Sequence, residues 1–130
     1  MPADRPVPIG RLKRRPEFLA VAGARRKWVA PGLILQVRRH DDRQSPATGE
    51  PQVRVGFTAS KKVGNAVVRN RCRRRLRAAV QAVVGTGAAP GFDLVVIARS
   101  DTVSRPFESL KQDLMAGLKR LGAWQAERPA

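Results

Sequence analysis

Apolar and polar positions along the chain repeat with two periods, and the changes of period divide it into elements. Leu33, Leu35 and Val37 alternate with Ile34 and Gln36 before Arg38 and Arg39, a period of two that predicts a strand. Val53, Val55, Phe57 and Ala59 alternate with Arg54, Gly56, Thr58 and Ser60, a second strand with one buried side. Phe92 to Arg99 is apolar almost throughout, as expected of a central strand covered on both faces. From Ala66 to Val84 the period lengthens. Val68, Cys72, Leu76, Ala79, Val80 and Val83 recur at steps of three and four, within an arc of roughly 120° at helical spacing. Phe107, Leu110, Leu114, Leu118 and Leu121 form a second amphipathic stripe, opened by Ser104, Pro106 and Glu108 and closed by Gly122. Phe18, Leu19, Val21 and Ala22, behind Pro16, predict a short first helix near 16–23 that stops at Gly23.

Turn residues supply the punctuation. Asn65 is placed as an N-cap for the long helix, and Gly85, Gly87, Pro90 and Gly91 end it. Ala30-Pro31-Gly32 is a turn. Residues 40–52 are a polar loop expected to connect a hairpin, and residues 1–12, with Pro2, Pro6, Pro8 and Gly10, are expected to form a disordered basic arm. The tail 123–130 is expected to fray, leaving one domain over 13–122. The order is α-β-β-α-β-α, with no internal repeat. A three-stranded sheet with helices on at least one face makes a small α+β sandwich.

Composition sharpens this picture through charge. The 130 residues suit one domain, and 42% are hydrophobic, enough for a core. The formal net charge is +16, from 26 Lys and Arg against 10 Asp and Glu. Residues 1–30 carry a net +6, and residues 51–92 carry nine basic residues and no acidic one. A merely soluble surface mixes signs, so the second run points to a polyanion. Twenty of the basic residues are Arg, whose planar fork binds phosphate in two-pronged fashion and stacks on bases. Abundant Ala and Gly also fit a GC-rich coding sequence, which weakens the Arg bias as evidence. Arg69, Arg73 and Arg77 form a stripe beside the apolar edge of the long helix, and Arg71, Arg74 and Arg75 line its far side. Like charges one turn apart weaken an isolated helix, so the pattern points to an external ligand.

Enzymatic chemistry of the chain's own is not visible. The single histidine, His40, lies in the polar loop beside Asp41 and Asp42 and is expected to be solvated. The single cysteine, Cys72, falls on the apolar helix face and reads as a small buried hydrophobe. One cysteine makes no internal disulfide, which fits a cytoplasmic chain. Metal-ligand spacing, a Ser–His–Asp set and a phosphate-binding glycine loop are all missing. The sequence shows neither an apolar run long enough to span a bilayer nor a signal-peptide core.

The stretch from Arg54 to Arg77 carries a closer likeness. Arg54-Val55-Gly56-Phe57, Ser60-Lys61-Lys62, Gly64-Asn65-Ala66, Arg69-Asn70-Arg71, Arg73-Arg74 and Leu76-Arg77 resemble the signature of the bacterial ribonuclease P protein subunit. Arg11-Leu12-Lys13 before Pro16-Glu17-Phe18 resembles that family's basic lead-in to its first helix, and Asp93 to Arg99 its last strand, so the resemblance spans roughly residues 9–121. It implies an α/β sandwich like the second domain of a small-subunit ribosomal protein, with a left-handed β-α-β crossover. It implies a protein that binds a large catalytic RNA, which with Mg²⁺ removes the 5′ leader of precursor tRNA. The protein itself would supply no catalytic side chain and bind no cofactor. Lys61, Lys62, Arg69, Asn70, Arg71, Arg73, Arg74 and Arg77 would contact the catalytic RNA. Lys13, Phe18, Gln36 and Phe57 would hold the leader in a cleft between the first helix and the sheet. Two positions depart from the family's habit: Ala22 and Gln36 stand where cleft aromatics are common, which shifts leader affinity toward charge. The Cys72 position is usually aliphatic. Trp28, in the basic Arg25-Arg26-Lys27 loop, is open between stacking on RNA and capping the core.

Residue chemistry supports these roles. Asn70 can donate and accept toward a base edge or a 2′-hydroxyl, where Arg only donates. Lys61 and Lys62 precede a helix N-terminus, where phosphate is already favoured. A structural ribosomal protein would use the same basic helix on ribosomal RNA. A DNA-reading helix is disfavoured because Gly85-Thr86-Gly87 stops the helix with no zipper after Val84. Membrane-surface binding is disfavoured by an apolar face without Trp or Phe.

Overall fold

Strand pairing and helix packing follow the alternation closely, in a computed structural model that describes residues 9–40, 53–87 and 91–124. Three α-helices are present among the described residues: α1 (Arg15–Gly23), α2 (Ala66–Gly87) and α3 (Phe107–Arg120). Five strands form one sheet: β1 (Ile9–Arg11), β2 (Lys27–Val29), β3 (Leu33–Arg39), β4 (Val53–Thr58) and β5 (Phe92–Ala98), in the order β1-β4-β5-β3-β2. A short 3-10 turn, Ser100–Val103, links β5 to α3. The fold is α+β, as expected.

The apolar strand β5 is central, parallel to β4 and antiparallel to β3. Because β4 and β5 are parallel neighbours, their connection must cross a face of the sheet, and α2 makes that crossing. One face carries Leu33, Leu35, Val37, Val53, Val55, Leu94 and Val96, packed against Cys72, Leu76 and Val80 of α2 and Leu110, Leu114 and Leu118 of α3. Among the described residues the opposite face meets the nine-residue α1. Val21 joins Leu12 and Val95 there in a second, smaller cluster.

Several expectations change. The element order gains two strands, β1 and β2, each of three residues. Residues 9–12 are therefore not part of an arm: β1 pairs in parallel with β4, and Leu12 is buried with its N–H bonded to Val55 O at 3.1 Å. Residues 1–8 lie outside the described residues. No hairpin joins β3 to β4, because β5 inserts between them. The loop 41–52, with Asp41 and Asp42, lies outside the described residues. Helix α2 runs past Gly85 to Gly87, since the apolar face continues through Val83 and Val84. Ala123 and Trp124 do not fray: Ala123 is 1% exposed, and the indole packs over Gly87, where a Cβ would fall 2.1 Å from the ring. The rest of the tail is outside the described residues. Trp28 packs against the core, with the Arg120 guanidinium over its ring, 5.8 Å from the centroid.

His40 is also not a solvated loop residue. Its Nε2 lies 2.7 Å from Asp93 Oδ1, on a carboxylate only 1% exposed. The Arg54 guanidinium grips the same carboxylate at 2.8 and 2.7 Å and reaches Glu17 Oε2 at 3.0 Å. Glu17 Oε1 in turn accepts the backbone N–H groups of Lys13 and Arg14 at the start of α1. One chain of charge thus ties β5, β4 and the end of β3 to α1. Burial alone would raise the Asp93 pKa. The hydrogen bonds from Arg54 and His40 outweigh it, and the carboxyl is held below its ordinary 3.8. The backbone bonds from Arg14 and Lys13 likewise hold Glu17 below 4.5.

Both carboxyls bind protons less readily folded than unfolded. Their contribution is therefore complete above the ordinary carboxylate range and is lost as pH falls through the lowered folded values. Urea unfolding should show a free energy that drops below about pH 4, with a shallower drop in Asp93→Asn. That variant should lose about 3 kcal/mol at neutral pH by stranding the Arg54 charge. Identical acid profiles in both proteins would remove Asp93 from this role.

Candidate nucleic-acid interface

Helix α2 starts from Asn65, whose Oδ1 accepts the Val68 N–H at 3.0 Å, the N-cap its position predicts. Cys72, Leu76, Ala79, Val80, Val83 and Val84 are buried along one side. Burial pushes the Cys72 thiol up, with Arg75, Arg71 and Arg73 pulling the other way, so it stays a packed, protonated hydrophobe. With that face fixed, the rest of the helix surface turns outward. Asn70, Arg73, Arg74 and Arg77, joined by Val67, line a shallow groove of about 500 Å³. Arg73 Nη1 donates to Asn70 Oδ1 at 2.8 Å, which orients the amide so that its N–H groups remain for a ligand. Arg69 and Arg71 sit on the two flanks of this arc; Arg71 is exposed, and Arg69 is half-buried with its Nε out of water and unpartnered among the described residues. Lys61 and Lys62 are exposed in the turn just before the helix. All eight side chains expected on the catalytic-RNA side therefore share one helix and its entry turn.

Carboxylate pairing separates the arginines into two kinds. None of Arg69, Arg71, Arg73, Arg74 and Arg77 has an ion-pair partner among the described residues. Arg54 pairs with Asp93 and Glu17, and Arg105 grips Asp113 at 2.6 and 3.0 Å. Arg75, expected on the outer face, turns instead to the 3-10 turn, donating to Thr102 O and Arg105 O. Its spacing resembled its neighbours', but only the three-dimensional path of residues 102–105 places acceptors there. The exposed Val67, 69% accessible amid arginines, was missed; its helical angle, well outside the buried arc, is the signal that marks it.

The α1 side assembles a second set. Phe18 is half-buried beside Leu12, Val95 and Ile97. Its ring lies so close to Gly56 that a Cβ there would be 2.5 Å from two ring carbons, which explains a glycine in the middle of β4. Gln36 is half-buried on the same face, opposite in parity to Leu33, Leu35 and Val37. Lys13 is exposed at the mouth of α1. Phe57 does not join them. It shares the parity of Val53 and Val55, packs toward α2, and lies under the Arg77 guanidinium, 5.6 Å from its ring centroid. The expectation that Phe57 lines the same cleft as Phe18 is thus corrected by strand parity.

Among the described residues no group of three or more His, Cys, Asp or Glu side chains is placed to hold a metal ion. The buried carboxylates are engaged, Asp93 by Arg54 and His40, and Asp113 by Arg105 and the Gly32 N–H. No helix among the described residues is long and apolar enough to cross a membrane.

Comparison with known proteins bears on these surfaces. The family model described as Ribonuclease P matches residues 9–122. A ribonuclease P protein component of Paramagnetospirillum magneticum is 53% identical over 126 residues, covering 94% of this chain and 90% of its own length. That of Gluconacetobacter diazotrophicus is 50% identical over 117 residues, covering 90% and 95%. Among solved structures, the RNase P protein of Thermotoga maritima superposes with a TM-score of 0.68 at 25% identity, covering 85% of this chain and 96% of its own. The Staphylococcus aureus RNase P protein gives 0.68 at 21% identity, covering 88% and 97%, and supports the fold.

The close approach at Gly56 yields a direct test. Gly56→Ala should displace Phe18 and α1, lowering stability by about 1–3 kcal/mol and shifting the Phe18 ring resonances. Unchanged resonances and an unchanged melting midpoint would mean that α1 does not rest on this glycine.

Proposed function

The chain belongs to the family of ribonuclease P protein components, and from that membership we propose that it binds the catalytic RNA along α2 and the 5′ leader of precursor tRNA along the α1 side of the sheet. As such a component it is part of a tRNA-processing ribonuclease and a partner of ribonuclease P RNA. In the proposed division of labour the RNA, with Mg²⁺, cuts the leader in the cytoplasm, and the protein contributes binding and orientation. The observation that carries this reading is the sorting of arginines: among the described residues Arg69, Arg71, Arg73, Arg74 and Arg77 of α2 have no carboxylate partner, while Arg54 and Arg105 are neutralised internally.

The protein would then act by charge and by shape. Lys61, Lys62 and the α2 arginines place a dense positive strip against RNA phosphates, with Asn70 available to a base edge or 2′-hydroxyl. On the other side Lys13 supplies charge, while Phe18 and Gln36 offer a partly apolar, hydrogen-bonding wall for a single strand. With one aromatic there, discrimination between precursor and mature tRNA rests more on charge than on stacking. In this reading Mg²⁺ belongs to the RNA, and the protein's part is to bind and orient.

Reconstitution tests the reading. Added to cognate ribonuclease P RNA and a leader-bearing precursor at low Mg²⁺, the protein should raise cleavage above that of RNA alone; no gain would defeat the proposal. Replacing Arg69 and Arg71 by Ala should weaken RNA binding and flatten its salt dependence by roughly 0.7–0.9 in log–log slope per lost phosphate contact. Phe18→Ala should reduce preference for precursor over mature tRNA. Equal losses on both substrates would make Phe18 purely a packing residue.

A further inference from the structure

Phe57, removed from the α1 cleft by parity, lies at a second opening. Strand β1 is only three residues long and pairs with Val53, Arg54 and Val55. Phe57 is two residues beyond the last of these pairs. On one side it has Val96 of β5; on the other the neighbouring strand has ended, because the chain leaves the sheet edge at Leu12 to be buried on the α1 face. The gap is a groove of about 220 Å³ between β1 and α2, lined by Phe57, Arg77, Val80 and Gln81 with the Ile9–Arg11 segment.

We propose that this groove is a pocket for one unpaired base of the catalytic RNA. The inference rests on the function proposed above and gives it a specific contact. Four features select this ligand. Phe57 is half-buried and carries the Arg77 guanidinium 5.6 Å from its centroid, a pairing that builds a flat, cationic stacking platform. Gln81 is exposed on the α2 side and brings an amide that can both donate and accept toward a base edge. As the edge strand, β1 has one backbone side without a strand partner among the described residues, giving further donors and acceptors. Arg11 and Arg77 line the groove with no carboxylate among the described lining residues, which favours a ligand joined to phosphates.

Size and position narrow the choice. The volume is below the roughly 300–1,000 Å³ of pockets for drug-sized ligands, and fits one planar ring system rather than a free dinucleotide. Arg77 also lines the groove with Asn70, Arg73 and Arg74, so the two openings form one continuous surface on the α2 side. Phe18 and Gln36 face the opposite side of the sheet. The base therefore comes from the catalytic RNA and not from the leader.

Two variants test the pocket. Phe57→Leu keeps an apolar side chain but removes the stacking face, and Gln81→Ala changes an exposed residue that the core does not need. Phe57→Leu should weaken affinity for ribonuclease P RNA about tenfold, the size of one lost stacking contact, with the salt slope unchanged. A base of that RNA protected from chemical modification by the parent protein should become reactive with either variant. Preference for precursor over mature tRNA should not move. Circular dichroism and melting check that Phe57→Leu is folded; if it is not, Gln81→Ala decides by the protection readout alone. Parent-level affinity and protection in a folded variant would overturn the pocket, and a loss confined to precursor discrimination would return Phe57 to the leader. A parent protein that fails to bind the RNA at all would instead overturn the proposed function, so the two failures are distinguishable.

Discussion

The bidentate pair between Asp93 and Arg54 is the contact on which the arrangement of the α1 surface depends. Asp93 stands on the central strand, on the face opposite α2 and α3, where its carboxylate is almost wholly removed from water. A buried carboxylate is tolerable only with charge and hydrogen bonds around it, and Arg54 from the adjacent parallel strand supplies both. Because Arg54 also reaches Glu17, the pair sets where α1 leans on the sheet. Because Glu17 caps the first turn of α1, it also fixes where that helix begins. Move Asp93 out of the network and the α1 side loses its anchor, while the α2 side, held by an independent apolar core, keeps its own.

That asymmetry gives the molecule two different faces. Helices α2 and α3 close one face of the sheet with a continuous core running from Leu33 to Leu121. The other face has a nine-residue helix and a cluster of three buried residues, leaving Gln36 and Ile34 only half-covered. A five-stranded sheet is too wide for one short helix to cover, so no described helix covers the strip beside α1. The opening near Phe57 has a similar origin, because β1 stops before β4 does. The α1 side and the Phe57 groove are thus both places where one element is shorter than its neighbour.

Much of this was legible in the sequence, and the parts that were not have identifiable reasons. The three long strands and three helices declare themselves by period, and Asn65 announces the start of α2 through its chemistry. Strands β1 and β2 do not, since three residues cannot display a period of two, and Gly10 between prolines reads as a breaker. The parallel neighbour of β1 is more than forty residues away, a pairing no local pattern encodes. His40 looked solvated because its partner, Asp93, is brought to it only by the β3–β5 ladder. Phe57 is a different case. The alternation that groups it with Val53 and Val55 already put it on the α2 side, and the short-range pattern was the better guide.

The arginine face of α2 raises a physical question that the fold answers only in part. Like charges at Arg69, Arg73 and Arg77, with Arg74 and Arg71 alongside, repel one another in the free protein, and no described carboxylate offsets them. The helix stands because its other side is buried: Cys72, Leu76, Ala79 and Val84 are wholly out of water. Salt screens the repulsion, and the apolar burial does not depend on that screening. The fold therefore tolerates the charge without neutralising it, and a polyanion that binds the native strip removes the repulsion while adding contacts. Relief of charge repulsion on binding would act at α2, since on the α1 side Glu17 and Asp93 already balance Arg54. The buried acids among the described residues, Asp93 and Asp113, pair with Arg54 and Arg105 and not with α2, which suits that helix to an extended, phosphate-bearing partner.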